Sequence, residues 1–486
     1  MTDTTTVELE HALASAAAVA PSFGDLPLDR RSAMLHEVAD ALDDQRDQLV
    51  ALAQQETHLP GTRLTGEVAR TTGQLRFLGD VIVDGAWLRA TIDTADSSDP
   101  VLRPDIRSMH VPLGVVLVFS AGNFPLAFSV AGGDTASALA AGCPVLVKAH
   151  PGHPHLSARV GALVKEVFGG AFSLISGVDA GRAAVVDPRV KAAAFTGSLA
   201  GGRALYDLAT GRVDPIPFYG ELGSMNPVFV TPNAARARGE EVADGYVASF
   251  TLATGQMCTK PGLLFLPAGH GLEERVASRA GAIGSARLLE DRITQSHAAA
   301  REALRATAGV RVLDDTASDG DDSTRPAVLV TTVAELGDGS RVLEECFGPT
   351  SVIVEYDDDD ELIAAARLVE GSLTATIHAE PDDDALVERL VSELRGRAGR
   401  LVWNGWPTGV RVAWATQHGG PWPSSTSALH TSVGAAAIDR FVRPVAFQNT
   451  PQSQLPAALR DHNELGIMRR VNGGLTTDDV HGGGTA

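Results

Sequence analysis

Between Arg30 and Leu59 the apolar residues Met34, Leu35, Val38, Leu42, Leu49, Val50 and Leu52 recur at helical spacing among charged positions, which predicts an amphipathic helical layer. Further along the pattern changes to short continuous apolar runs, "GVVLVF" (114–119), "PVLVKA" (144–149), "FSLIS" (172–176) and "KAAAFTG" (191–197). Such runs suit strands buried on both faces of a parallel sheet, and the segments between them, such as "SVAGGDTASALAAG" and "PHLSARVGALVKEVFGG", read as helical connections. The alternation predicts a doubly wound α/β domain. After Tyr219 a second series, "NPVFVT", "GLLFLP", "SVIVEY", "LTATIHA" and "GRLVWNG", predicts a second α/β domain. Three stretches carry few core residues. "DTADSSDPVLRPD" (93–105) reads as a loop or projecting hairpin, "LDDTASDGDDSTRPA" (313–327) as a surface loop, and "VNGGLTTDDVHGGGTA" (471–486) as a frayed tail.

Length and composition narrow the class. A chain of 486 residues that is 44% hydrophobic can bury the cores of two or three domains. With 60 acidic against 40 basic residues the net charge is -20, a field that repels phosphate backbones and anionic membrane surfaces, so neither nucleic acid nor a membrane is an expected partner. The N-terminal stretch lacks the basic start and apolar centre of a secretion signal, and no apolar run reaches spanning length. Cys143, Cys258 and Cys346 make no disulfide framework and no CxxC metal spacing, which points to a reducing compartment, the cytoplasm, and to no bound metal.

Cys143 sits in an apolar run and Cys346 in "EECFGP", where packing explains both. Cys258 instead lies in the polar, Gly-flanked "TGQMCTKPG" after a helix-like run, a setting that can expose a sulfur to backbone N–H groups. A nucleophilic cysteine needs a base, an oxyanion site or both. Glu221 in "FYGELGSMNP" has apolar neighbours that would raise its pKa toward general-base range if buried, although a solvated surface acid is the plainer reading. Asn123, in "FSAGNFPLAF" at the end of a strand, either caps the next helix or points into the crevice above the sheet.

Taken together, the ordered set "GNFP", "VKAHPGHP", "FTGSLAGG", "ELGSMNP", "GQMCT" and "EECFGP" resembles the aldehyde dehydrogenase superfamily, from the first amphipathic helix to "VRPVAFQN". The longer strings, including "NGWPTGV" and "HGGPWPS", look most like its branch of 2-oxoglutarate semialdehyde and NADP-dependent fatty aldehyde dehydrogenases. The resemblance implies a Rossmann-like cofactor domain (1–90 and 112–222), a catalytic α/β domain (223–437) and a small β oligomerisation arm (91–111 and 438–450) that pairs between subunits of a homodimer or homotetramer. It implies that Cys258 attacks the aldehyde carbon, that Asn123 with the Cys258 N–H holds the oxyanion, and that Glu221 activates water for thioester hydrolysis. An acylating enzyme would not need Glu221, and a binding protein on the same fold would not need the set at all.

For the cofactor, the resemblance implies that Lys148, His150 and Pro151 meet the adenosine ribose, Gly197, Ser198 and Gly202 the pyrophosphate, and Glu345 and Phe347 the nicotinamide ribose. "FTGSLAGG" read alone is a weak glycine-rich turn. NAD-selective members often carry a glutamate where this chain has Pro151; without that repulsion NADP is the expected coenzyme, NAD the alternative. Phe124 and Trp406 are candidates for the aldehyde channel. The sequence does not choose the aldehyde, with 2,5-dioxopentanoate ahead of a long-chain one. Two departures stand out: Arg411, where an acid is expected and which has only a weak claim to hold a carboxylate, and Gly122, where serine is more usual.

Overall fold

The computed structural model of the chain describes residues 2–96, 103–316, 320, 323–337 and 339–480. The first series of apolar runs forms the strands Val115–Phe119, Val145–Lys148, Phe172–Ile175 and Val190–Thr196. A fifth, Phe218–Glu221, completes an all-parallel sheet with the spatial order Phe172–Ile175, Val145–Lys148, Val115–Phe119, Val190–Thr196, Phe218–Glu221. The chain runs outward from Val115–Phe119 on one side, then returns to build on the other. The place where the order reverses is the crevice in which open α/β sheets bind ligands. Asn123 leaves one of the two strands flanking that point, and Gly197 and Ser198 leave the other.

Helices cover both faces, as continuous apolar strands require. On one face Val116, Val118, Val145 and Ala194 join a core with Leu35, Val38 and Leu42 of the helix Leu28–Asp44 and with Leu64, Val68 and Leu75 of the helix Gly61–Asp84. On the other, Leu117, Leu146 and Ala193 pack with Leu13 of the helix Thr6–Gly24 and Ala184 of Val178–Val186. The predicted helical layer is thus two helices, Leu28–Asp44 and Arg46–Thr57.

The five runs of the second series, with two strands that the sequence analysis did not name, Arg311–Asp314 and Ala327–Thr332, form a seven-stranded sheet in the order Arg311–Asp314, Ala327–Thr332, Thr350–Tyr356, Leu263–Pro267, Val228–Val230, Ser372–His378, Ala398–Trp403, parallel except for the first pair. The stretch read as a surface loop carries the end of one strand and the short strand Ser323–Thr324; residues 317–319 and 321–322 of it lie outside the described residues.

A third sheet joins distant parts of the chain in the order Val442–Gln448, Ile106–Pro112, Thr91–Asp93, Arg469–Val471, Gly474–Thr476. Val442–Gln448 pairs antiparallel with Ile106–Pro112, Val442 opposite Pro112 and Gln448 opposite Ile106, so the two arm segments pair with each other within the chain. Residues 97–102 of the arm lie outside the described residues. The expectation of a frayed tail from residue 471 needs correction: Arg469–Val471 and Gly474–Thr476 form a hairpin whose turn residues Asn472 and Gly473 have φ of 47° and 86°. Backbone pairing, the buried Arg469, which donates to the Arg460, Asp461 and Asp478 carbonyls, and the packing of Val471 and Val480 on the core hold this segment. Residues 481–486 lie outside the described ones. Among the described residues no helix is long and apolar enough to cross a membrane.

Candidate active site

The helix Pro232–Thr251 ends in a turn where Ala253, Thr254 and Gly255 all take left-handed conformations, with φ of 54°, 56° and 67°. At Gly255 only glycine fits, because a Cβ there would lie 2.2 Å from the carbonyl carbon of Gly348. That close approach sets the Cys258 loop against "EECFGP". Lys260, buried, donates Nζ to the carbonyls of Cys346 at 2.8 Å and Thr350 at 2.7 Å and ties the two loops together. From the other side Asn226 donates Nδ2 to the carbonyls of Cys258 (2.8 Å) and Lys260 (3.0 Å), while its Oδ1 accepts from Ser224 and Thr374.

Around the half-buried Cys258 the sulfur meets His418, with Sγ 3.6 Å from Nε2, and the same Nε2 lies 3.0 Å from Oε1 of Glu221. Ser432 donates Oγ to the other carboxylate oxygen at 2.5 Å. His418, 1% exposed, is fixed through its backbone, donating N–H to Thr431 Oγ1 and accepting from the Ser432 N–H. Burial pushes the Glu221 carboxyl up, but His418, by charge and hydrogen bond, and the Ser432 and Cys258 contacts outweigh it and leave it below the usual range. The expectation that burial would raise this base is therefore corrected: it is buried and compensated. Burial, then the Glu221 charge, holds the Cys258 thiol well above its ordinary value, with Arg70 opposing.

Asn123 donates Nδ2 to the Gln256 carbonyl at 3.1 Å, which puts its amide against the loop before Cys258. Cys258, Glu221 and Asn123 are thus brought together from three separate segments. Phe124 lies beside Phe128, ring centroids 5.4 Å apart, and Phe128 is 6.3 Å from the His418 ring, so this wall borders the sulfur. Trp406 is not part of it. Its ring packs on His378 (4.9 Å) and Tyr246 (6.3 Å) and fills the space over Gly245, against the helix Pro232–Thr251, because it is apolar bulk for that core. Val410 and Val412, a few residues on, are the ones that pack with Phe124 and Phe128. Arg411 is exposed.

The coenzyme candidates gather at the reversal point. Lys148 ends its strand with its pKa lowered by burial, and the acids Asp3 and Glu290 face it. His150 is pushed down to about 3 by burial, so its ring is neutral; Nδ1 lies 3.3 Å from Glu290, and the ring stacks on His153 at 5.3 Å. A Cβ on Gly122 would come within 2.7 Å of that ring, which accounts for glycine there. Pro151 is exposed beside it. Ser198 caps the helix Leu199–Thr210, accepting from Gly201 N–H at 3.3 Å, and the cap residue and first turn are open to solvent. Gly197 precedes the cap, and at Gly202 a Cβ would strike Leu222 at 2.1 Å. Glu345 is pushed up to about 7 by burial against the opposing Lys260, and a Cβ on Gly223 would lie 2.5 Å from its Oε2. Phe347 is half-buried next to it. An open helix N-terminus at a reversal point, a desolvated lysine at a strand end and a buried carboxyl cradled by glycine fit a dinucleotide.

Sequence reasoning missed His418, which was inside a quoted string but never singled out, together with Ser432 and Asn226. It also missed Arg63 and Arg70; with Glu67 they follow the i, i+4, i+7 spacing along the buried side of the helix Gly61–Asp84, and charges on an apolar face are the signal that marks them.

Residues 1–445 match the model of the aldehyde dehydrogenase family. Alpha-ketoglutaric semialdehyde dehydrogenase 2 of Azospirillum brasilense is 44% identical over 464 residues, 92% of this chain and 88% of that one. Alpha-ketoglutaric semialdehyde dehydrogenase of Acinetobacter baylyi is 40% identical over 459 residues, 92% of this chain and 87% of that one. Among solved structures, aldehyde dehydrogenase C of Pseudomonas syringae, complexed with NAD+ and octanal, superposes with a TM-score of 0.78 at 20% identity, covering 93% of this chain and 91% of that one. An aldehyde dehydrogenase of Physcomitrella patens in complex with succinate gives 0.78 at 20% identity, covering 92% of each chain.

Proposed function

This chain belongs to the aldehyde dehydrogenase family and is an NAD(P)-dependent oxidoreductase acting on aldehydes, and from that premise we propose that it converts 2-oxoglutarate semialdehyde (2,5-dioxopentanoate) to the acid through a covalent intermediate on Cys258. The observation that carries the reading is the contact of the Cys258 sulfur with a buried His418–Glu221 pair, with the Asn123 amide alongside. The names of the two relatives at 44% and 40% identity support the substrate.

The thiol is held protonated at rest, and the two bases beside it are placed to take its proton as the sulfur bonds to the aldehyde carbon. The Asn123 amide and the Cys258 N–H hold the oxyanion that forms. Lys148, the open turn at Ser198 and Glu345 would hold NAD(P), which when bound supplies the two-electron acceptor for the thiohemiacetal carbon. Glu221, kept ionised by His418 and Ser432, then takes a proton from water as that water attacks the thioester. The acid leaves and the thiol is restored.

NADP is the proposed preference, supported by Pro151 and by the nearby cations Lys148 and Arg292; Glu290 is the opposing charge. We assign the cofactor domain to 1–90 and 112–222, the catalytic domain to 223–437 and the arm to 91–111 and 438–450, and we propose assembly as a homodimer or homotetramer in the cytoplasm. The test is the initial rate of NAD(P)H formation with 2,5-dioxopentanoate, succinic semialdehyde and a long-chain aldehyde, each with NADP and with NAD, for the wild type and Cys258→Ala. A preference for 2,5-dioxopentanoate that vanishes in the variant is expected. A preference for the long-chain aldehyde refutes the substrate, and turnover surviving in Cys258→Ala refutes the mechanism.

A further inference from the structure

Among the described residues Arg70 makes no ion pair within 4.0 Å. Its guanidinium lies 5.0 Å over the Phe128 ring and 5.9 Å from that of Phe124. Its Nε and Nη2 are closed off from solvent, and among the described residues nothing accepts a hydrogen bond from either. Buried guanidinium N–H groups are normally satisfied, so two orphaned on one side chain mark a place where an acceptor belongs. Two carboxylates face Arg70, and each leans on another cation. Glu67 accepts the Leu126 and Ala127 N–H groups on Oε1, and its Oε2, which accepts no hydrogen bond, lies 3.9 Å from Arg63; Glu221 accepts from Ser432 on Oε2, and its Oε1, also without a hydrogen bond, lies 3.0 Å from His418 Nε2.

Arg63 stands beside it, 4.8 Å over the Phe124 ring. Its Nη2 donates to the Asn123 carbonyl at 2.6 Å, and its Nη1 is buried without a partner. Glu67 lies within ion-pair distance of Arg63, and among the described residues no carboxylate lies that close to Arg70.

The Arg70 charge faces the reacting sulfur. Phe128 separates Arg70 from His418, which touches Cys258, and Arg70 is close enough to Cys258 and Glu221 to act on both electrostatically. Between them Phe124, Phe128, Val410 and Val412 form an apolar wall. A cationic end, an apolar middle and a nucleophile describe a substrate with an anionic end, a short aliphatic chain and an aldehyde. We propose that Arg70, supported by Arg63, binds the distal carboxylate of the substrate and so selects aldehyde acids over neutral aldehydes. In 2,5-dioxopentanoate four carbon–carbon bonds, about 5 Å when extended, separate the aldehyde carbon from the carboxylate carbon. Arg400, the other arginine near Cys258, is tied to the Pro407 and Gly409 carbonyls and holds the valine loop instead.

The inference rests on the aldehyde-oxidising reading of Cys258, and its test separates the two. Purified full-length wild type, Arg70→Met and Arg70→Lys are compared on 2,5-dioxopentanoate and on pentanal, which has the same chain length and no carboxylate. In Arg70→Met the ratio of the two kcat/KM values is expected to fall by about 30-fold, carried by KM for the acid, as for a hydrogen-bonded charge contact removed. Arg70→Lys recovers part of it. A ratio within about threefold of wild type, or an equal loss on both aldehydes, overturns the proposal and makes Arg70 a packing residue. In a readout independent of turnover, glutarate slows alkylation of Cys258 by iodoacetamide in the wild type and not in Arg70→Met; equal protection in both overturns it too. Failure of the wild type to oxidise either aldehyde refutes the underlying reading, whereas Cys258-dependent oxidation of both with equal efficiency refutes only the role of Arg70.

Discussion

Replacing His418 with leucine removes a group that lies 3.0 Å from the Glu221 carboxylate and leaves that carboxylate buried with only the Ser432 hydroxyl and the Cys258 thiol against it. In the native protein burial drives the Glu221 pKa up, and the His418 contacts, the next largest influence, help turn the balance to a net lowering. Without them burial, the largest influence on this carboxyl, is opposed only by the Ser432 and Cys258 contacts, and the Glu221 pKa rises. The sign is definite. In the native protein the ionised form is favoured, so the stabilisation is present above the unfolded carboxyl value and is lost as pH falls through the lowered one; in His418→Leu the ionised form is disfavoured, and stability falls as pH rises from the unfolded value to the raised one. The assay is the pH profile of the steady-state rate together with the pre-steady-state burst of NAD(P)H. The acid limb of the steady-state rate should move to higher pH, while a burst persists because thioester formation precedes the water step. An unmoved acid limb, in a variant whose thermal unfolding shows it folded, refutes the claim that His418 keeps Glu221 ionised.

Three further predictions follow from the loops around the sulfur and the coenzyme residues. Glu345, pushed up to about 7, must ionise to accept from ribose hydroxyls, so NADP affinity measured by calorimetry should weaken as pH falls through that value and lose this dependence in Glu345→Gln. Removing the Glu290 charge in Glu290→Gln should raise the NADP:NAD ratio of kcat/KM by roughly fivefold, ~1 kcal/mol, and an unchanged ratio would place that carboxylate out of reach of the 2′-phosphate. Asn226→Ala removes the bonds to the Cys258 and Lys260 carbonyls at a site with no exposure, and urea unfolding should show a loss of about 2–4 kcal/mol with kcat reduced more than KM is raised.

Most of the two parallel sheets was legible because strands buried on both faces leave unbroken apolar runs. Phe218–Glu221 was not, since a four-residue strand containing Tyr, Gly and Glu carries no such run. The helix Thr6–Gly24 was passed over for a related reason: its core side rests on Leu9, Leu13, Ala16 and Phe23, its alanines continue around the other faces, and Pro21 lies inside it. The hairpin at 469–476 is held largely by backbone pairing and one arginine, with the isolated Val471 packed on the core, and isolated apolar residues form no run for a hydrophobic scan to register. In the site, Cys258, Glu221 and Asn123 were found through the strings around them. His418 sits 160 positions from the cysteine it touches, in a loop with no periodicity, so only the folded chain reveals the contact. Arg63 and Arg70 lie on the helix Gly61–Asp84, which the sequence analysis did not single out, and the packing shows which way they face. Trp406 shows the converse: an aromatic near a matching motif served a neighbouring core.

Lys260, buried, links the Cys258 loop to the Glu345 loop by two hydrogen bonds. Thermodynamic linkage makes such a bridge work equally in both directions. Whatever factor occupation of the Glu345 side contributes to one arrangement of Cys258, an acyl group or alkylating agent on Cys258 must return to coenzyme affinity. Order of binding, retention of the coenzyme while the thioester persists, and protection of the cysteine by coenzyme are then three readings of one coupling constant, set by an ammonium group that touches neither reactant.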